Sequence, residues 1–229
     1  MIRQVRSEFS GRIATLTLDR PARRNALSAD LMRELIACAQ ELSARADIDA
    51  VILAGAGSCF SAGADLKDES RWAGNAAIEG YAVGGGLALA LALDWRVMAR
   101  DAFLSLPEIS LGIPLTWGTL PRLVNLAGPA RAKRLAILGE RIGADAALAL
   151  GLADEVCDRG SAMQAAIRLA NMVLEKPRHS VRMTKEAVNA YAGIGAHAVS
   201  YMAHDQFELA AASPESRAAR ESALKGRKS

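Results

Sequence analysis

A run of three glycines followed by an apolar, helix-forming stretch constrains this chain more than any other feature. The glycines are Gly84 to Gly86, and the stretch continues to Leu93 without a charged residue. Glycines that open a helix leave backbone N–H groups accessible, because they carry no Cβ. Such N–H groups, at the positive end of the helix dipole, favour a negative or developing negative oxygen. The run is therefore either half of an oxyanion site or a glycine-rich packing site for a buried helix.

Composition narrows the class of protein. The chain has 229 residues, of which 51% are hydrophobic, so it can bury a core as one domain, or as one domain with a helical appendage. The formal net charge is only +3, with basic and acidic residues interleaved, which argues against a nucleic-acid partner. The N-terminus lacks the apolar core of a signal peptide, and the longest charge-free run, Gly80 to Leu93, is too short to span a bilayer. We expect a cytoplasmic protein with no membrane contact.

Metal and disulfide chemistry are not expected. The cysteines, Cys38, Cys59 and Cys157, are odd in number and lack metal-ligand spacing, so they are expected to be reduced thiols. The three histidines also lack metal spacing or a partner nucleophile, and structural or surface positions are expected for them; they are His179, His197 and His204.

The first third of the chain predicts a strand–helix–strand unit. Apolar and polar residues alternate over Ile13 to Leu18, which is typical of a strand that pairs as a hairpin across Ser10-Gly11. Ser28 is a good helix N-cap, and helical spacing of apolar residues follows it. Ala50 to Ala54 is a buried strand that ends at Gly55. This order favours an α/β fold.

A second segment of small residues follows that strand. It runs from Gly55 to Lys67, and Phe60 stands where a dinucleotide-binding fingerprint would need its third glycine. A loop that leaves the end of a strand is a common ligand site in α/β folds. This segment and the glycine run could therefore supply two N–H donors to one enolate or thioester oxygen, unless the segment is a plain surface turn.

These motifs, taken in order, resemble those of the crotonase superfamily, the enoyl-CoA hydratase and isomerase family. The resemblance covers nearly the whole chain. It rests on Leu18 to Pro21 with Arg24 to Ser28, Phe60 to Lys67, Gly80 to Gly86, Leu106 to Glu108 with Leu111 to Pro114, and Ala144 to Val156.

The resemblance implies a fold and an assembly. We expect a crotonase-like α/β core, a ββα spiral, over residues 1–160. A C-terminal helical region over residues 161–229 would pack subunits into a homotrimer or a dimer of trimers. The expected ligand is an acyl-CoA thioester, with coenzyme A as part of the substrate and no covalently bound cofactor.

The resemblance also implies site residues. By position, the backbone N–H groups of Ala64 and Gly85 would bind the thioester oxygen. Residues expected to contact the CoA part of the ligand are Arg24, Ala26, Ala62, Ala64, Asp65, Leu66, Lys67 and Gly85. Trp117 is expected either to line the acyl pocket or to pack in the core.

The carboxylates bear on the reaction. Hydratases of the family usually carry two glutamates. Glu108 matches the second, but Ala88 stands at the position of the first. Glu108 is therefore the expected general acid/base, with a pKa raised by an apolar pocket. Other acids that could substitute for the missing one are Asp68, Glu69 and the weaker candidate Glu79, whereas Asp94 is expected to be structural.

A single carboxylate favours moving a double bond over adding water. One base can remove a C2 proton and return a proton at C4, whereas hydration must also position a water molecule. We therefore expect isomerisation of an enoyl-CoA. The alternatives are a slow hydratase, a hydrolase or decarboxylase of the same family, and a CoA-binding protein without activity.

One segment departs from the family. Only Asp68 to Asn75 separate Lys67 from the next apolar run, which is much shorter than usual. The strand before Gly80 is accordingly expected to be shortened to Ala76–Glu79. The short segment is either a true deletion or a stretch missing from the sequence, and normal Cα spacing across it would reject the second explanation.

Overall fold

A computed structural model describes residues 3–63, 73–116, 118–196, 199 and 203–225. Several sequence predictions fall outside these residues. They concern Ala64 to Glu69, the deletion or omission after Lys67, Trp117, His197 and the side chain of His204.

The described residues form nine strands and nine α-helices. The strands are β1 (Val5–Ser10), β2 (Ile13–Leu18), β3 (Ala50–Gly55), β4 (Ala73–Ile78), β5 (Tyr81–Val83), β6 (Trp95–Ala99), β7 (Phe103–Ser105), β8 (Ile142–Gly143) and β9 (Glu155–Cys157). The helices are α1 (Ala29–Ala44), α2 (Gly85–Ala92), α3 (Thr119–Ala127), α4 (Pro129–Leu138), α5 (Ala144–Ala149), α6 (Ala162–Leu174), α7 (Arg178–Ala192), α8 (Ala203–Ala212) and α9 (Pro214–Lys225). Short 3-10 turns cover Pro21–Arg23 and Glu108–Leu111.

The larger sheet confirms the strand–helix–strand prediction. Its order is β1-β2-β3-β4-β6-β9. β1 and β2 form the antiparallel hairpin, and β2 pairs in parallel with β3 after the crossover through α1. Ser28 caps α1 as predicted, since its Oγ accepts a hydrogen bond from the Leu31 N–H at 3.3 Å. A parallel sheet of this kind is buried on both faces, which explains the nearly continuous apolar run of β3.

The expectation of a shortened strand before Gly80 is wrong. β4 starts at Ala73, pairs in parallel with β3 on one side and with β6 on the other, and ends before Glu79. Gly74 and Asn75 look like turn residues in sequence, but Asn75 is fully buried in this strand. Pairing on both sides overrides the low intrinsic strand preference of these two residues.

The chain turns at Gly80 from the larger sheet into a smaller one. Gly80 has φ +63°, and a Cβ there would collide with the Ser58 carbonyl, so only glycine fits this turn. β5 then enters a three-stranded sheet of order β5-β7-β8. Strand, strand and helix follow one another as β4, β5 and α2. The chain therefore crosses from the larger sheet to the smaller one shortly before α2 begins.

The helices after residue 161 agree with the predicted helical region. The first of them, α6, covers one face of the larger sheet, where its alanines pack against β3, β4 and β6. Among the described residues, no helix is both long enough and apolar enough to cross a membrane. The role of the C-terminal helices in subunit packing stays a prediction.

Candidate active site

The glycine run forms the N-terminus of a buried helix. β5 ends at Val83, Gly84 takes φ +56° and ψ −124°, and α2 begins at Gly85. Every residue of α2 except the last is buried, so packing alone accounts for its apolar sequence. As the first helical residue, Gly85 has no carbonyl one turn earlier in the helix to accept its N–H. The two interpretations of the glycine run are therefore compatible.

A second chain segment runs beside β5 and reaches the same point. Phe60 and Ser61 lie in parallel with β5: Ser61 forms a bridge with Ala82, and the Val83 N–H donates to the Ser61 carbonyl at 3.1 Å. Gly63 then lies against the start of α2. A Cβ added to Gly63 would be 3.2 Å from the Gly85 nitrogen. The residue that follows, Ala64, is the predicted partner of Gly85, and its own geometry lies outside the described residues.

Two buried polar side chains hold this second segment. Asn25 Nδ2 donates to the carbonyls of Ala56 and Cys59, each at 2.8 Å. Ser61 Oγ donates to the Asn25 carbonyl at 2.8 Å and accepts from the Gly63 N–H at 3.2 Å. Both residues have no solvent exposure. Since buried polar groups are costly to leave unpaired, these bonds fix the path of the chain towards Gly63.

The predicted CoA contacts that the structure describes lie together around Gly63. The Ala62 N–H donates to the Arg24 carbonyl, and the Leu27 N–H donates to the Gly63 carbonyl, both at 3.0 Å. Ala26 lies between these two hydrogen bonds in sequence and is half-buried. Burial raises the pKa of Tyr81, and the positive charge of the exposed Arg24 opposes this rise. Arg24, Ala26 and Ala62 therefore lie around Gly63, which itself lies against Gly85.

Glu108 reaches the glycine run from the other side. It is the first residue of the 3-10 turn after β7 and is only 8% exposed. Its Oε1 lies over Gly84, so close that a Cβ added to Gly84 would be 2.7 Å away. Burial raises the pKa of Glu108, as expected for a carboxyl in an apolar pocket. Its Oε2 is buried and has no hydrogen-bond partner within the described part of the chain.

Within the part of the chain that the structure describes, the neighbouring positions supply no second acid. Ala88, one turn after Gly84, donates its N–H to the Gly84 carbonyl at 3.0 Å and is buried. The Glu79 carboxylate instead accepts the N–H groups of Gly160 and Ala162 at the start of α6. Asp94 accepts the Gly74 N–H at 2.6 Å and the Lys185 ammonium at 2.8 Å. Glu79 is thus engaged as a helix cap, and Asp94 has the structural position expected of it.

This arrangement can hold an oxygen and move a proton beside it. The N–H at the start of α2 can stabilise charge that develops on an oxygen. Glu108 Oε1 lies over the adjacent Gly84, and burial raises the pKa of this carboxyl, which suits a role in proton transfer. No group of acidic, histidine or cysteine side chains among the described residues could hold a metal ion.

Sequence reasoning missed the residues that position the site. Asn25 lies in the matched motif Arg24 to Ser28 without a predicted role of its own, and it and Arg24 both adopt left-handed backbone conformations. Asparagine tolerates that conformation, and this was the available signal. The buried hydroxyl of Ser61 and the contact between Gly84 and Glu108 join residues far apart in the chain, so no local pattern could reveal them.

Comparisons with known proteins show the family and the fold. The family model described as enoyl-CoA hydratase/isomerase matches residues 8–73 and 75–226. A probable enoyl-CoA hydratase of Mycobacterium avium is 38% identical, with 78% of each chain covered. A short-chain-enoyl-CoA hydratase of Clostridium acetobutylicum is 32% identical, over 80% of this chain and 79% of that protein. A crystal structure of enoyl-CoA hydratase from Mycobacterium tuberculosis superposes with a TM-score of 0.85 at 30% identity, over 92% of this chain and all of that one.

Proposed function

The chain belongs to the enoyl-CoA hydratase/isomerase family and has its crotonase-like α/β fold, and from that membership we propose a specific activity. The protein acts on an acyl-CoA thioester. The backbone N–H groups of Gly85 and Ala64 form the oxyanion hole, and Glu108 is the single acid/base. The preferred reaction is the isomerisation of an enoyl-CoA.

The observation that carries this proposal is the position of Glu108. Its Oε1 lies on Gly84, directly before the helix whose first N–H is the proposed oxyanion donor. A thioester oxygen bound at that N–H would place the carbon next to the carbonyl close to the carboxylate. Proton abstraction from that carbon yields an enolate whose charge rests on the bound oxygen. Removing one donor of this kind typically slows a reaction by about 10²–10³-fold.

Isomerisation needs only these groups. The Glu108 carboxylate removes a proton from C2 of a 3-enoyl-CoA, and the electron pair moves through C2–C3 as the dienolate forms. The protonated Glu108 then returns the same proton at C4, which leaves the double bond between C2 and C3. No atom is gained or lost, and no second carboxylate is required. Ala88 therefore does not obstruct this reaction.

Hydration is the second candidate, because the relatives named above are called hydratases. In this reaction a water molecule adds across the C2–C3 double bond, with its hydroxyl at C3 and a proton at C2. A single carboxylate would have to both activate the water and deliver the proton. We expect hydration to be slower than isomerisation, since Ala88 cannot share that work.

The surroundings of Gly63 support CoA as the carrier of the acyl group. Arg24 is exposed and basic, which suits the phosphates of a nucleotide, and its neighbours Ala26 and Ala62 offer backbone rather than bulky side chains. Asp65, Leu66 and Lys67 complete the proposed contact segment. CoA enters as part of the substrate, with no separate cofactor.

We also propose that the protein assembles as a homotrimer or a dimer of trimers in the cytoplasm. Helix α7 supports this, because its large apolar side chains face outward, and Met183, Val188 and Tyr191 are at least 60% exposed. Sedimentation or light scattering would measure the mass directly, and a monomer would contradict the proposal.

The decisive experiment compares 2-enoyl- and 3-enoyl-CoAs of several chain lengths as substrates for the wild type and Glu108→Gln. Loss of the acid/base is expected to lower kcat by about 10²–10⁴-fold while acyl-CoA binding persists. Glu140→Gln is the matched control, because Glu140 is an exposed glutamate whose carboxylate is paired with Arg134. Equal turnover by the wild type and Glu108→Gln would reject the mechanism. Binding without turnover in the wild type would favour an inactive CoA-binding protein.

A further inference from the structure

The C-terminal helix α9 packs directly on the turn that carries Glu108. The turn over Glu108–Leu111 ends at Gly112, which has φ +68°. The Gly112 N–H donates to the Ile109 carbonyl at 3.0 Å, and the Ile113 N–H donates to the Glu108 carbonyl at 3.2 Å. Gly112 therefore closes the same short turn that Glu108 opens.

Ser216 fastens α9 to that turn. It is only 5% exposed, and its Oγ donates to the Gly112 carbonyl across 104 residues of sequence. The backbones are in contact, because a Cβ on Gly112 would overlap the Cα and Cβ of Ser216. The Ser213 hydroxyl accepts the Ser216 N–H at 3.1 Å and so caps the start of α9 at this point. Helix α9 thus meets the turn through a fixed, buried polar contact.

We propose that Ser216 is a positioning residue for Glu108. The hydrogen bond from Ser216 to Gly112 fixes the C-terminal end of the 3-10 turn. This turn holds the Glu108 carboxylate over Gly84. The turn is four residues long, so a shift at Gly112 is transmitted to Glu108 with little loss. Ser216 does not touch the reacting groups. This inference rests on the proposed role of Glu108.

A double-mutant cycle separates positioning from a merely structural contribution. Ser216→Ala is expected to lower kcat for a 3-enoyl-CoA by about tenfold with KM nearly unchanged, because small displacements of a catalytic group are costly. In a Glu108→Gln background, where the proposed base is already gone, Ser216→Ala is expected to cause no further loss. Ser43→Ala is the matched control, since it removes a serine-to-carbonyl hydrogen bond at the exposed end of α1.

Three results would overturn the inference. If Ser216→Ala leaves kcat unchanged, or lowers it equally in both backgrounds, Ser216 does not act through Glu108, while the proposed function stands provided that Glu108→Gln is impaired. If Glu108→Gln is as active as the wild type, the proposed function fails and the positioning role fails with it. Ser216→Cys keeps the packing but weakens the donor, so it repeats the test if the alanine variant does not fold.

Discussion

The carboxylate of Glu108 lies on the bare Cα of Gly84. The two residues are 24 positions apart and come from different strand ends of the smaller sheet, β7 and β5. Gly84 has φ +56°, and the space beside its Cα is occupied by Glu108 Oε1. Two independent reasons therefore restrict position 84 to glycine: its positive φ, and the Glu108 carboxylate that fills the space a Cβ would take.

Gly84→Ala is the first prediction. The new Cβ would approach Glu108 Oε1 to 2.7 Å, so the carboxylate or the backbone must move. We expect a loss of stability of about 1–3 kcal/mol from the strained backbone, and a loss of kcat of about 10²-fold from the displaced acid. Thermal unfolding and steady-state kinetics measure the two effects.

Gly143→Ala is the control for that substitution. Gly143 has φ −70°, and a Cβ there would meet no heavy atom within 4 Å. This variant is expected to match the wild type in both assays. If Gly84→Ala also matched the wild type, the close approach of Gly84 to Glu108 would not matter to the reaction.

The second prediction concerns the pH dependence of the reaction. Abstraction of a C2 proton needs Glu108 as the carboxylate, and burial raises its pKa. The rate is therefore expected to fall with decreasing pH at a higher pH than an ordinary glutamate would allow. A profile of kcat/KM against pH measures this limb, and Glu140→Gln should leave it in place. A limb at the ordinary glutamate pKa would contradict the assignment.

The third prediction follows from the same shift, with stability as the measured quantity. A carboxyl whose pKa is raised by folding binds its proton more tightly in the folded state, so the stability that it contributes falls as pH rises from its ordinary pKa through the raised one. Glu108→Gln removes this dependence. We expect the variant to have a higher Tm than the wild type at neutral pH and a similar Tm at a pH of about 4. A Tm difference that does not change with pH would contradict the burial effect.

The fourth prediction tests the missing acid. Ala88→Glu places a carboxylate one turn after Gly84, on the same side of α2. We expect hydration of a 2-enoyl-CoA, relative to isomerisation of a 3-enoyl-CoA, to rise by about tenfold or more. Chromatographic measurement of the 3-hydroxyacyl-CoA and the 2-enoyl-CoA formed gives the ratio.

The control for Ala88→Glu is Ala92→Glu, one further turn along α2, where the half-buried last residue of the helix lies away from Gly84. It should leave the ratio as it is in the wild type. If neither variant changed the ratio, the lack of an acid at position 88 would not explain a preference for isomerisation.

The fifth prediction concerns the support of the oxyanion hole. Ser61→Ala removes a hydroxyl that bonds the Asn25 carbonyl and the N–H of Gly63, and Gly63 lies against Gly85. We expect a loss of about 1–3 kcal/mol in the free energy of unfolding. A fall of about tenfold in kcat/KM is expected as well, because Gly63 then keeps, of the hydrogen bonds that the structure describes for it, only the one from the Leu27 N–H to its carbonyl. Ser43→Ala is again the surface control, and an unchanged kcat/KM in Ser61→Ala would show that Gly63 keeps its place without the hydroxyl.

Local patterns in the sequence predicted the helices and strands better than the contacts between them. Alternation in β2, the N-cap at Ser28 and the apolar run of β3 each depend on neighbouring residues, and all three agree with the structure. The start of β4 was misjudged because Gly74 and Asn75 carry the wrong local preference, and only pairing with β3 and β6 makes them strand.

Local sequence patterns were not enough to predict the candidate active site. The residues alone left the glycine run undecided between packing and oxyanion binding, and the family resemblance supplied Glu108 and Gly85 as candidates. Neither source could show that Oε1 of Glu108 lies on Gly84 or that Ser216 reaches Gly112. Such contacts depend on how the two sheets and the last helix are placed in space.

The burial of α2 divides the site into parts that can change separately. The proposed donor at Gly85 is a main-chain atom on a helix enclosed by protein, so substitutions of side chains leave it in place. Position 88 lies one helical turn after Gly84, and Glu108 reaches Gly84 from the 3-10 turn after β7. A variant of this chain could therefore acquire a new reaction through one or two substitutions while the proposed main-chain donor to the thioester oxygen stays in place.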